Sequence, residues 1–101
     1  VHTSAVLVAT GVQYRALPLD RLAEFEGAGV FYAATDMESR FCRQTAAVVI
    51  GGGNSAGQAA MYLSRSAAHV HVVVRGDSLA ASMSDYLTRR LEADPAITIH
   101  Y

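Results

Sequence analysis

The residues of this chain that could do chemistry are concentrated in one stretch. Val48-Val49-Ile50-Gly51-Gly52-Gly53-Asn54-Ser55-Ala56 reads G-x-G-x-x-A directly after an apolar run and directly before an alanine-rich segment. In that pattern the first glycine permits a sharp turn, here Gly51. The glycine at position 53 removes a side chain that would block a pyrophosphate, and the small Ala56 lets helix and strand approach closely. A helix that starts at Asn54 and Ser55 would aim free N–H groups and a partial positive charge at a bound phosphate. The chemistry indicated is therefore the holding of a dinucleotide by backbone, with Gly51 to Ala56 as candidate contacts and Gly52 inside the loop. The competing reading is a glycine turn that merely joins strand to helix.

A second candidate follows the next apolar run, at Val74-Arg75-Gly76. An acid at the end of that strand would bind a ribose 2′-hydroxyl, whereas an arginine accommodates a 2′-phosphate. Arg75 lies about 20 residues beyond the glycine turn, the expected span. The position therefore favours NADPH over NADH, against the alternative of a solvated surface arginine that could pair with Asp77. Other reactive side chains carry less. Cys42 is the one cysteine and sits in a polar stretch, so it reads as a bystander. His69 and His71 alternate along a strand without a third ligand, and His2 and His100 belong to no constellation, so no metal site is expected. Ser55 lacks a His/Asp set, and Arg89-Arg90 is explained by a helix carboxyl end.

The elements that must position these groups follow from hydrophobic periodicity. Ala5 to Ala9 is apolar and ends at Thr10-Gly11, which predicts a buried strand stopping at a glycine turn. Val12 to Gly29 predicts an irregular connection with at most a helical turn, Val30 to Thr35 a short strand, and Asp36 to Thr45 a polar linker. Beyond it the expected order is a strand over 46–50, a helix over 54–66 and a strand over 69–74. A helix over about 78–92 and a strand over 96–100 complete the series. A β-α-β-α-β series of this kind implies an α/β class, a Rossmann-like, doubly wound parallel sheet.

Composition is consistent with one modest core: 101 residues, 51% hydrophobic and 17% charged. The formal net charge is -1, and the eight basic residues, all arginine, are scattered, which argues against a nucleic-acid partner. The absence of lysine excludes Schiff-base chemistry and a phosphate-loop lysine. No apolar run approaches the roughly 20 residues that span a bilayer, so no membrane partner is expected. A single cysteine gives no sign of an oxidising compartment, which makes the cytoplasm the expected location. The chain is also expected to be a piece of a longer protein, since it runs almost directly from Val1 into an apolar segment.

Together these residues resemble the low-molecular-weight, thioredoxin-reductase-like flavoproteins, pyridine nucleotide-disulfide oxidoreductases found in bacteria. The resemblance spans nearly the whole chain. It rests on Ala9-Thr10-Gly11, on Gly29-Val30-Phe31-Tyr32, on Gly51 to Ala56, on Met61-Tyr62-Leu63, on Arg75 with Asp77, and on Asp94-Pro95-Ala96-Ile97. It implies that residues 1–45 are the end of an FAD-binding segment with a hinge, and that 46–101 are part of an NADPH-binding domain. By the same resemblance Thr10 and Gly11 would lie beside FAD. Gly51, Gly52, Gly53, Asn54, Ser55 and Ala56 would hold the NADPH pyrophosphate, and Arg75 would meet the 2′-phosphate. The implied activity is hydride transfer from NADPH to FAD in a full-length homodimer, with electrons passed on to a disulfide or another acceptor, a redox protein among the candidates.

Two departures qualify that implication. Where thioredoxin-reducing members carry Cys-Ala-Thr-Cys, this chain has Ala33-Ala34-Thr35-Asp36, and the family's His-Arg-Arg phosphate clamp is reduced to Val74-Arg75-Gly76. No catalytic dithiol is therefore expected here, and the reduced clamp should weaken NADPH binding or relax its selectivity over NADH. The pattern is similar to cysteine-less reductase-like modules fused to regulatory domains in bacteria. A non-catalytic, dinucleotide-binding redox sensor is thus the alternative reading, and a fold kept for interaction alone is a third. With no glycine loop before Ala5, the isolated chain is expected to bind FAD poorly.

Overall fold

A computed structural model describes residues 1–101, which form two compact units, Val1–Tyr32 and Ala33–Tyr101. No helix is long and apolar enough to cross a membrane.

In the first unit, the apolar run Ala5 to Ala9 forms no strand and is exposed throughout, contrary to the sequence expectation. A β-strand is stable only with a ladder partner for its N–H and C=O groups, and none pairs with this run. The helical turn expected between Val12 and Gly29 is a 3-10 turn at Leu22–Phe25. It is followed by a tight loop in which the Phe25 carbonyl accepts from the N–H groups of Ala28, Gly29 and Val30 at 3.0, 2.9 and 2.9 Å. The strand expected over 30–35 shrinks to one isolated bridge between Glu26 and Val30, because the chain turns back on itself there. Tyr32 stacks on Tyr14 at 5.3 Å and donates to the Glu26 carboxylate at 2.6 Å. That hydrogen bond, aided by desolvation, raises the Tyr32 pKa.

The second unit holds a parallel sheet. In chain order its elements are α1 (Asp36–Phe41), β1 (Ala46–Ile50), α2 (Asn54–Leu63), β2 (His69–Val73), α3 (Asp85–Ala93) and β3 (Ile97–His100). The three strands lie in the order β1-β2-β3, all parallel, with Val49 opposite Val72 and Val72 opposite Ile99. This is the α/β, Rossmann-like architecture expected from the alternating pattern. Side chains alternate across the pleat, so Ala47, Val49, Val70, Val72 and Ile97 face one way and are buried. They join Ala60 and Leu63 of α2 and Leu87 and Leu91 of α3 in a single core cluster. Val48, Ile50 and Val73 alternate with that set and remain exposed. His69 and His71 are not buried either, as their alternation with Val70 and Val72 predicts. His100, expected to stand alone, instead meets His71 through Nε2 and Nδ1 at 2.9 Å, and His69 meets Thr98 at 2.7 Å. No group of metal-ligating side chains forms.

Two expectations in this unit are corrected. The linker over 36–45 contains α1, because Thr35 and Glu38 form a capping box that satisfies the first free N–H groups of a helix. Ser39 of that helix is buried, and Ala34 and Cys42 at its two ends pack on the core. The helix expected from Ser78 begins only at Asp85, after a run of turns. Ser78 Oγ accepts from the Ala80 N–H at 3.1 Å, a local bond that competes with helix, and Ser84 is the N-cap, accepting from Leu87. Leu79 and Met83 are nevertheless buried, anchoring the turn region from its apolar side.

Candidate functional site

The candidate site lies at the carboxyl edge of the sheet, where two neighbouring parallel strands end. β1 and β2 finish in register, Ile50 opposite Val73, and the Gly51 N–H donates to the Val73 carbonyl at 3.0 Å. The chain then leaves β1 through Gly51 with φ at 141°, in the positive-φ region that a side chain at this position would strain. A Cβ there would stand 3.3 Å from Cβ of Ala56, so the smallness of Ala56 admits the close approach of α2 to the turn. At Gly52 a Cβ would meet Val74 Cγ1 at 2.9 Å, too close without movement. Gly53 differs: a Cβ would find only the Ser82 carbonyl at 3.9 Å. Packing within the protein does not demand glycine at 53, whereas a phosphate approaching the backbone would.

α2 opens on Gly53 as N-cap, with no side chain bonded to its first turn. The N–H groups of Asn54, Ser55 and Ala56 have no acceptor in the protein. They are three of the four donors that every helix start leaves unpaired, and they carry the positive end of the helix dipole. Asn54 and Ser55 are exposed, so these donors are open to an anion.

Arg75 stands two residues past β2, at the same sheet edge as the glycine turn, exposed and in no ion pair. Arg75 forms no ion pair with Asp77, which leaves its guanidinium in solvent. The structure thus gathers Gly51 to Ala56 and Arg75 at the ends of adjacent strands. Thr10 and Gly11 belong to the other unit, exposed, with Gly11 at φ 79°.

The residues that hold the site together were not singled out by sequence reasoning. Ser82 Oγ donates to the Gly52 carbonyl at 2.9 Å, and the Ser84 N–H donates to Asn54 Oδ1 at 2.7 Å. These bonds tie the connection between β2 and α3 to the glycine turn. The available signal was the serine spacing at 78, 82 and 84, a composition that favours turns and caps over helix interiors. Ala33, Ala34, Thr35 and Asp36 lead into α1, with Asp36 paired to Arg40 at 2.6 Å and Cys42 at the far end of that helix.

The sequence profile of the pyridine nucleotide-disulphide oxidoreductase family matches residues 1–101. The chain is 37% identical to NADPH-dependent thioredoxin reductase 3 of Arabidopsis thaliana over 102 residues, covering 100% of this chain and 19% of that protein. It is 43% identical to the thioredoxin reductase of Streptomyces clavuligerus over 99 residues, 97% of this chain and 30% of the relative. Among solved structures, the thioredoxin reductase of Lactococcus lactis superposes with a TM-score of 0.83 at 30% identity, over 91% of this chain and 29% of that one. The enzyme of Streptococcus pyogenes gives 0.80 at 33%, over 90% and 29%. The chain therefore spans less than a third of the length of these relatives.

Proposed function

Because this chain belongs to the pyridine nucleotide-disulphide oxidoreductase family and is thioredoxin-reductase-like, we propose that residues 46–101 supply the NADPH site of a flavin-dependent oxidoreductase. The observation that carries the reading is the set of unpaired N–H groups at Asn54, Ser55 and Ala56, beside a glycine whose Cβ position is open and an arginine without a partner. In this proposal the Gly51 to Ala56 backbone binds the pyrophosphate, and Arg75 binds the 2′-phosphate by charge-assisted hydrogen bonds. Thr10 and Gly11 lie beside FAD in the same proposal, and the parent protein is a cytoplasmic homodimer.

When bound, the nicotinamide and flavin supply the hydride chemistry, and the protein contributes position and electrostatics. Within this chain that means a rigid turn, held by the bonds from Ser82 to Gly52 and from Ser84 to Asn54. No dithiol stands at Ala33 to Asp36, and Cys42 is half-buried against the core. In our reading, electrons reach the protein or small-molecule acceptor by a route that does not use a dithiol in this segment. No observation favours the alternative of a non-catalytic sensor.

Calorimetric titration with NADPH and NADH tests the site. NADPH is expected to bind more tightly, and Arg75→Ala to erase the difference while leaving NADH binding in place. Equal affinities in the unaltered protein would overturn the assignment of Arg75. For the parent protein, bleaching of the flavin absorbance band by NADPH is the expected sign of hydride transfer.

A further inference from the structure

Between α2 and α3 of the second unit lies a groove of about 420 Å³, whose lining includes Asn54 beside the glycine turn. Its lining includes two arginines, Arg65 and Arg90, and no acidic residue. The Arg65 guanidinium lies 6.0 Å from the centroid of the Tyr62 ring. Arg90 lies 5.4 Å from the Tyr86 ring, and its Nη1 donates to the Tyr86 hydroxyl at 2.6 Å. Neither arginine is in an ion pair, whereas adjacent Arg89, outside the groove, pairs with Asp85 at 2.9 Å. The aromatic partners orient these two cations without neutralising them, since a ring face attracts a guanidinium yet carries no net charge. Met61 and Leu87 supply apolar lining between them, with Leu87 buried.

A concave surface with apolar lining, two tyrosine rings and two uncompensated guanidiniums is complementary to a flat, apolar body that carries an anionic group. We infer that this groove binds a small aromatic anion, a ring bearing a phosphate or carboxylate, with Arg65 and Arg90 taking the anion and the tyrosines flanking the ring. The volume lies within the range of about 300–1,000 Å³ seen for small-molecule sites. The groove shares Asn54 with the proposed dinucleotide turn, whereas Arg65 and Arg90 have no part in that reading, so the inference does not depend on it.

The test is a heteronuclear NMR titration of the protein with phenyl phosphate, and separately with inorganic phosphate and with phenol. Phenyl phosphate is expected to shift the amides around Tyr62 to Arg65 and Tyr86 to Arg90 saturably, with either half-ligand binding about tenfold or more weakly. Arg65→Ala and Arg90→Ala should each weaken the binding about tenfold, as the loss of a hydrogen bond to a charged group does. Arg89→Ala should leave it unchanged. Shifts confined to Gly51 to Ala56, or unchanged binding in the Arg65→Ala/Arg90→Ala double variant with a native spectrum, would overturn the inference. Failure of NADPH to bind, with these shifts intact, would count only against the dinucleotide site.

Discussion

The side-chain carbonyl of Asn54 accepts the backbone N–H of Ser84 at 2.7 Å, so the first residue of α2 is tied to the N-cap of α3 across 30 positions of sequence. An amide one residue past the glycine turn thereby fixes where the third helix begins.

Replacing that amide has a defined cost. Asn54→Ala should lower stability by about 1 kcal/mol, the usual worth of a cap or a single hydrogen bond. Urea denaturation should show a lower midpoint at unchanged slope. Asn54→Asp retains the acceptor and should lose less. An unchanged midpoint in Asn54→Ala would show that the bond contributes nothing in solution.

Gly52 tests the tightness of the turn. Its missing Cβ would lie 2.9 Å from Val74 Cγ1, on a β-branched side chain that is itself buried. Gly52→Ala should destabilise by roughly 1–3 kcal/mol through overpacking. Val74→Ala in the same protein should recover part of the loss, and a purely additive double variant would refute the steric account.

Leu91 of α3 is fully buried, in the cluster that joins α3 to the sheet. Leu91→Ala should cost roughly 2–5 kcal/mol by lost transfer energy and residual cavity. A loss below about 1 kcal/mol, measured by thermal or urea unfolding, would mean that the helix relaxes to fill the space.

The capping box gives a pH dependence. Hydrogen bonds from the Thr35 hydroxyl and backbone hold the Glu38 carboxylate below its ordinary value of 4.5. Because the folded value is the lower one, the contribution is complete above 4.5 and is lost as pH falls through the folded value. Helix α1 should therefore loosen in acid, seen as lower amide protection factors at Ser39 to Phe41 once the intrinsic exchange rate at each pH is divided out. Glu38→Gln should make those protection factors independent of pH in this range, and an unchanged acid response in the variant would assign it elsewhere.

Much of the second unit was legible from the sequence because its signals are local. A glycine triplet after an apolar run and a helix rich in small residues each act through neighbours in sequence, and the three strands of the sheet appeared within a residue of their expected bounds. Helix α1 has a local signal too, the capping-box pattern Thr35-Asp36-Met37-Glu38, but the polarity of the residues after it hides the helical periodicity. The helix expected from Ser78 failed for the converse reason. Leu79, Met83 and Leu87 repeat at spacings of four, yet the first two bury themselves from turns, while Ser78 and Ser84 hold the backbone in caps.

The sequence by itself determined the strand-glycine-helix unit, the arginine after the second strand, and the loss of the dithiol, because turn chemistry, side-chain alternation and residue identity depend only on nearby positions. Tertiary structure decided the rest. It left Ala5 to Ala9 without a strand partner, brought His100 to His71, pinned Ser82 and Ser84 onto the glycine turn, and set Arg65 and Arg90 on one groove. Each of these joins residues distant in sequence, or requires a partner strand, and only the packing of helices on a sheet settles which distant groups meet.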